Sequence, residues 1–297
     1  MMIIVPGLSH FAVFSIRLIS KSHQVIVIDN GLQKIDRTFL KKSIPEIQLF
    51  KIMTNRIFGQ QMIDTHPEVL ETLAYIPKLK VVLVDPDCFI FDSNIIDNLI
   101  KSLDTHFFAS PFCYKNQEIN KSIPETFLLG INTCMLRKNK KKYTISFGDS
   151  SPPKKLDSLL FEKWRIQKPW PQPFKKIFDT THIHLLAGFI ENMTVDHIDY
   201  DKELLFHVCG TSYNQSSLQF KGDNDFLILN AHYFHLKIIE LLKDKWLVVY
   251  FEKLVNHYET SDNLIRNFQD YDQSCYRRDI DKLIFKLSNH FRLKQII

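Results

Sequence analysis

Val81-Val82-Leu83-Val84-Asp85-Pro86-Asp87-Cys88-Phe89-Ile90-Phe91 carries four aliphatic residues straight into two acids and then into a second apolar step. A continuous aliphatic run, unlike an alternating one, predicts a central strand covered on both faces by helices. Asp and Pro favour turns, so the strand should stop at Val84 and leave Asp85 and Asp87 at its carboxyl edge. In an open parallel sheet that edge is where ligands bind. Two carboxylates one residue apart repel each other, and a hard divalent cation is their natural neutraliser. Mg²⁺ or Mn²⁺ held there would keep positions for a diphosphate and stabilise charge on a departing phosphate. On the motif alone, a plain Asp-Pro-Asp turn is an equal reading.

Toward the amino terminus, Ile3 to Val5 and Val25 to Ile28 are short β-branched runs, and Phe11 to Ser20 between them has helical spacing. The second run ends in the turn signal Asp29-Asn30-Gly31. A helix over Lys34 to Lys42, a strand over Gln48 to Ile52 and a helix over Pro67 to Tyr75 come next, the last with Val69, Leu70 and Leu73 on one face. This alternation predicts an α/β fold: a Rossmann-like, mostly parallel central sheet flanked by helices, with right-handed crossovers.

Further along, Lys138 to Thr181 is rich in Pro and Lys and contains Trp164 and Trp170. It reads as irregular structure, an insertion suited to acceptor binding, in which a Trp either stacks on a sugar ring or packs inside. From His232 the pattern turns helical, with Tyr233, Leu236, Ile239, Glu240 and Leu241 opening one helix and Leu283, Ile284, Leu287, Phe291 and Leu293 marking another. The expected division is a main domain over 1–230 and a C-terminal helical extension over 231–297 packed on it. Arg277, Arg278, Lys282, Lys286, Arg292 and Lys294 accompany that last apolar stripe. Packing on the main domain is its preferred reading, and peripheral contact with an anionic membrane is the other.

With 45% hydrophobic and 24% charged residues, the 297-residue chain lies in the ordinary globular range. Its 38 basic and 33 acidic residues give a net charge of +5, an excess too mild to indicate a nucleic-acid partner. The run Lys138-Asn139-Lys140-Lys141-Lys142 reads as a solvated loop, with phosphate or anionic lipid as its other uses. Cys88, Cys113, Cys134, Cys209 and Cys275 are scattered, odd in number and without a CxxC pair, which predicts reduced, buried thiols and no structural zinc. The apolar start lacks a basic leader, and Arg17, Lys21 and His23 interrupt the next apolar stretch, so a cytoplasmic, soluble protein is expected. P-loop, dinucleotide-binding and α/β-hydrolase signatures are missing.

The succession His66-Pro67-Glu68-Val69-Leu70, Asp85-Pro86-Asp87, Asn98-Leu99-Ile100 resembles the GT-A-type nucleotide-sugar glycosyltransferases. The likeness extends in order over roughly residues 1–215. Leu129-Gly130-Ile131-Asn132-Thr133-Cys134-Met135-Leu136 looks like the later strand that sets an Asn against the donor sugar, with Cys134 where Gly is commoner. Phe178-Asp179-Thr180 looks like an Asp-Thr before a helix, and Leu205-Phe206-His207-Val208-Cys209-Gly210 resembles a late His segment, interrupted by Cys209.

The resemblance implies that Asp87 contacts the metal, that Asp85 does so through water or holds the donor ribose, and that His207 completes the site. It also implies that Asp29, Asn30 and Asn132 contact the nucleotide sugar, and that Asp179 serves as the base of an inverting reaction toward an unknown acceptor. Bland readings stand beside these: a hydrogen-bonded His207, Asp179 as a helix cap, His66 as a cap or core-edge residue, and Asn30-Gly31 as a simple turn. A haloacid-dehalogenase-like phosphatase also uses Asp-x-Asp, but in the first strand. A non-catalytic interaction protein on the same fold is the remaining rival.

Overall fold

The structure is a computed structural model and describes residues 1–4, 8–51, 66–75, 79–117, 119–147, 149, 151–165, 181–208, 233–234, 237–238, 241–242 and 274–291. In chain order the strands are β1 (Met2–Ile4), β2 (Val27–Asp29), β3 (Leu49–Lys51), β4 (Lys80–Val84), β5 (Cys88–Ile90) and β6 (Phe108–Ser110). They continue with β7 (Cys113–Asn116), β8 (Lys121–Pro124), β9 (Leu128–Asn132), β10 (Val195–His197) and β11 (Leu205–His207). The helices are α1 (Ser9–Ile19), α2 (Lys34–Ser43), α3 (His66–Glu71), α4 (Asn94–Ser102), α5 (Thr133–Tyr143), α6 (Lys154–Trp164), α7 (His182–Ile190) and α8 (Ser274–Phe291).

Seven strands form the main sheet in the order β10-β6-β9-β4-β1-β2-β3, and β11-β5 and β7-β8 are separate pairs. The pairs β1/β4, β2/β3 and β6/β10 are parallel. β9 is antiparallel to both its neighbours, β4 and β6. The α/β fold with a mostly parallel sheet is therefore as expected, with one reversed strand inside it. Gly130 in β9 has a packing reason: a Cβ there would stand 3.3 Å from the Ala109 carbonyl oxygen and from Leu103.

Two compact units emerge, each assembled from several stretches of chain. The first takes Met1–Ile3, Ile52–Asp85 and Asp92–Leu204, and its core gathers Leu83, Phe107, Phe108, Leu129, Leu160 and Leu186. The second takes Ile4–Lys51, Pro86–Phe91 and Leu205–Ile297. Its core is aromatic, with Phe11 stacked on Phe234 at 4.9 Å and Phe14 set against Phe291 at 5.5 Å. The expected boundary at residue 230 falls outside the described residues. Of the three cysteines that the structure describes, it buries Cys88, half-buries Cys113 and leaves Cys134 exposed, which corrects the expectation of buried thiols for the last two.

Capping explains several helix ends. Gln33 and Asp36 form a capping box at the start of α2, and Asn132 caps α5 by accepting from the Met135 N–H. α5 closes on Lys140, Lys141 and Lys142, cations that suit the carbonyl end of a helix, before Thr144 turns left-handed at φ 55°. The expectation of irregular structure from Lys138 onward is corrected by this element and by α6. The Lys run is a helix end, and Pro153 sits where a proline is tolerated, just ahead of α6.

In α8 the buried stripe is Ile280, Leu283, Leu287 and Phe291, so the described part of the C-terminal segment packs into the second unit. Phe234, Ile238 and Leu242 form the buried face of the preceding helical positions. Leu236, Ile239 and Glu240, named for that helix, are not among the described residues. No described helix is long and apolar enough to cross a membrane.

Candidate functional site

The carboxyl end of β4 is fixed by backbone hydrogen bonds: the Val84 N–H donates to the Met1 carbonyl at 2.9 Å and the Asp85 N–H to that of Phe127 at 2.9 Å. Pro86 and Asp87 form the turn, and β5 begins at Cys88. β11 then lies antiparallel on β5 with His207 opposite Cys88, and the Val208 N–H donates to the Asp87 carbonyl at 3.2 Å. This ladder brings His207 to the acid pair from far along the chain. Its Nε2 stands 3.5 Å from Asp87 Oδ1, with side-chain exposures of 11% and 8%.

Asp85, Asp87 and His207 each offer one ligand atom, and all three atoms lie within 4.8 Å of one another. The donor set fits a divalent cation: two hard carboxylates and a borderline imidazole, leaving positions for water or phosphate oxygen. A nearly buried carboxylate needs a positive partner. An imidazole supplies one only when protonated, whereas a bound divalent cation supplies it while the imidazole stays neutral and acts as a ligand. Ser15 is a supporting residue that sequence reading missed: its Oγ donates to the Cys88 carbonyl at 2.6 Å, buried. As a small residue within an apolar helix it carries no signal of its own.

The other expected site residues are placed differently. Asp29, 2% exposed at the end of β2, accepts from the Leu32 N–H at 2.8 Å and pairs with Arg37 at 2.5 Å. Its hydrogen bond to Arg37 raises that guanidinium above its ordinary pKa. Asn30, also 2% exposed, ties its N–H to the Ile4 carbonyl at 3.1 Å. Both therefore serve the turn that leads into α2.

Asn132 is not brought to the acid pair. β9 runs antiparallel, so Asn132 pairs with Lys80 while Leu128 pairs with Val84, and Asn132 stands at the opposite end of β4 from Asp85. Its Oδ1 caps α5 and its Nδ2 donates to the Leu103 carbonyl at 2.9 Å.

Asp179, Trp170 and Cys209 lie outside the described residues. The N-cap position of α7 is held by Thr181. Trp164 takes the packing role, half-buried and edge-on to Phe189 at 6.4 Å.

A mostly parallel α/β sheet with an acid pair at the carboxyl edge of a central strand, joined there by an imidazole, is the arrangement that the GT-A resemblance implied. Residues 1–136 match the family model of the StrH glycosyltransferase N-terminal domain. That stretch contains Asp85 and Asp87, so the resemblance read from the sequence is upheld where the acid pair lies.

Among solved structures, the galactosyltransferase LgtC in complex with donor and acceptor sugar analogs is 14% identical, with TM-score 0.39, covering 66% of this chain and 73% of that one. An active-site mutant of LgtC gives 14% identity and TM-score 0.34 over 57% of this chain and 66% of that one. The glycosyltransferase GlyE of Streptococcus pneumoniae TIGR4 is 13% identical, with TM-score 0.32, covering 73% of this chain and 56% of that one. Superpositions this loose carry no information on substrates. No curated protein sequence matches the chain.

Proposed function

We propose that the protein transfers a sugar from a nucleotide-diphosphate donor to an acceptor hydroxyl, using Mn²⁺ or Mg²⁺ held by Asp85, Asp87 and His207. The observation that carries this reading is the convergence of those three groups at the carboxyl edge of β4. When bound, the cation supplies charge neutralisation for the diphosphate and for the leaving phosphate. Asp87, the more buried acid, is the direct ligand. Asp85, half-buried, holds the ion through water or contacts the donor ribose. Asp179 is the proposed base that takes the acceptor proton in an inverting reaction, on sequence grounds alone.

Titration calorimetry of a nucleoside diphosphate into the protein, with and without Mn²⁺, tests the site. Binding should require the metal and weaken about tenfold or more in Asp87→Asn. Metal-dependent binding at the parent level in that variant would show the site to be wrongly assigned. Hydrolysis of simple phosphate esters without any nucleotide binding would favour the phosphatase class instead.

A further inference from the structure

Residues 133–165 contain nine of the chain's 38 basic residues and only three of its 33 acidic ones, so the remainder is nearly balanced at 29 against 30. The whole cationic excess therefore belongs to α5, α6 and the segment between them. Some of it is neutralised locally: Lys140 pairs with Glu71, and Lys142 with Glu191 at 2.7 Å. Lys138, Lys141, Lys154, Lys155, Lys163 and Arg165 are all exposed.

The fold crowds these charges. Lys142 and Lys155, from different helices, both stand over the Tyr143 ring, at 5.5 and 5.7 Å. The Lys163 ammonium is held below its ordinary pKa, by burial first and then by the nearby positive charge of Lys121. Along α6, Lys154, Ser158, Phe161 and Arg165 share one exposed stripe, and Phe161 keeps 45% of its surface accessible.

A basic surface with an aromatic side chain standing out of it is the composition of a face that rests on an anionic bilayer: cations meet headgroup phosphates while the ring enters the interface. α8, where membrane contact was expected, also exposes a ring, Phe285 at 67%, but differs in its charge. Its apolar stripe is buried, and on its exposed side Arg278 and Lys282 are balanced by Asp279 and Asp281. We infer that the α5–α6 face is a docking surface for membranes rich in anionic phospholipid. The inference requires no part of the donor site.

The test is co-sedimentation of the full chain with vesicles of phosphatidylcholine alone or with about a third phosphatidylglycerol, at salt below and above 0.1 M, where the Debye length is about 10 Å. Pelleting should increase several-fold with phosphatidylglycerol and fall as salt rises. The triple variant Lys138→Gln/Lys141→Gln/Lys154→Gln, with folding checked by circular dichroism, should lose most of that increase. Phe161→Ser should weaken binding while leaving its salt dependence. Any of three results overturns the inference: no phosphatidylglycerol-dependent pelleting of the parent, parent-like pelleting of the triple variant, or loss of pelleting in Arg278→Gln/Lys282→Gln with the triple variant unaffected. Retention of single-stranded RNA without vesicle binding would assign the basic face to a different partner.

Discussion

Ser15 and His184 show how a single buried side chain acts at a distance from its own helix. Ser15 holds the Cys88 carbonyl, and Cys88 is both the neighbour of Asp87 and the ladder partner of His207. Ser15→Ala should lower stability by about 1 kcal/mol through the lost hydrogen bond. It should also weaken Mn²⁺ binding roughly tenfold by loosening the ligands. Ser15→Thr keeps the hydroxyl and should restore metal affinity. If both variants lose stability while metal affinity stays at the parent level, Ser15 is only a core residue. His184 is fully buried against Phe147 at 4.3 Å, and neither ring nitrogen has a partner among the described residues. Burial, with the charge of Lys140, lowers its pKa from 6.5 to about 3. The unfolded chain therefore binds a proton that the folded chain refuses between those values, and stability falls as pH drops below about 6.5. Each pH unit in that window costs about 1.4 kcal/mol. Thermal denaturation across pH 7 to 4 should show a shallower decline for His184→Leu than for the parent, and equal slopes would remove His184 from the account.

At the scale of elements, the direction of β9 decides what the Asn at its end does. An antiparallel strand between β4 and β6 places Asn132 beside the amino end of β4, where it caps α5 and ties that helix start to the Leu103 carbonyl. Asn132→Ala should destabilise the fold by about 1 kcal/mol, the usual cost of a lost N-cap. Metal-dependent nucleotide binding, measured by calorimetry at a temperature where the variant is folded, should stay within about twofold of the parent. A selective loss of nucleotide affinity would return Asn132 to the donor site. The strand itself was legible from Leu129-Gly130-Ile131, but its direction was not, because an apolar run reads the same whichever way its neighbours point. The same limit applied to α5 and α6. Their Lys and Pro residues signal loops in composition, yet Lys140, Lys141 and Lys142 close α5, where cations are favoured, and Pro153 stands just ahead of α6, where a proline is tolerated.

Across the whole molecule, the two compact units each draw on distant stretches of chain, so neither unit can be read off as a contiguous segment. The sequence by itself determined the alternation of strands and helices, the buried strand β4, its abrupt end and the two acids delivered there. These depend on local periodicity and on the chemistry of adjacent residues, both of which are present in any short window. It also marked His207 as a candidate through resemblance. The tertiary structure alone decided that His207 meets Asp87 across the β5–β11 ladder, that Ser15 supports that ladder, and that Asn132 stands at the far end of β4. It likewise decided that Lys142 and Lys155 crowd onto one ring. Those facts depend on strand direction and on through-space packing between residues far apart in the chain, and no pattern of neighbouring residues encodes either.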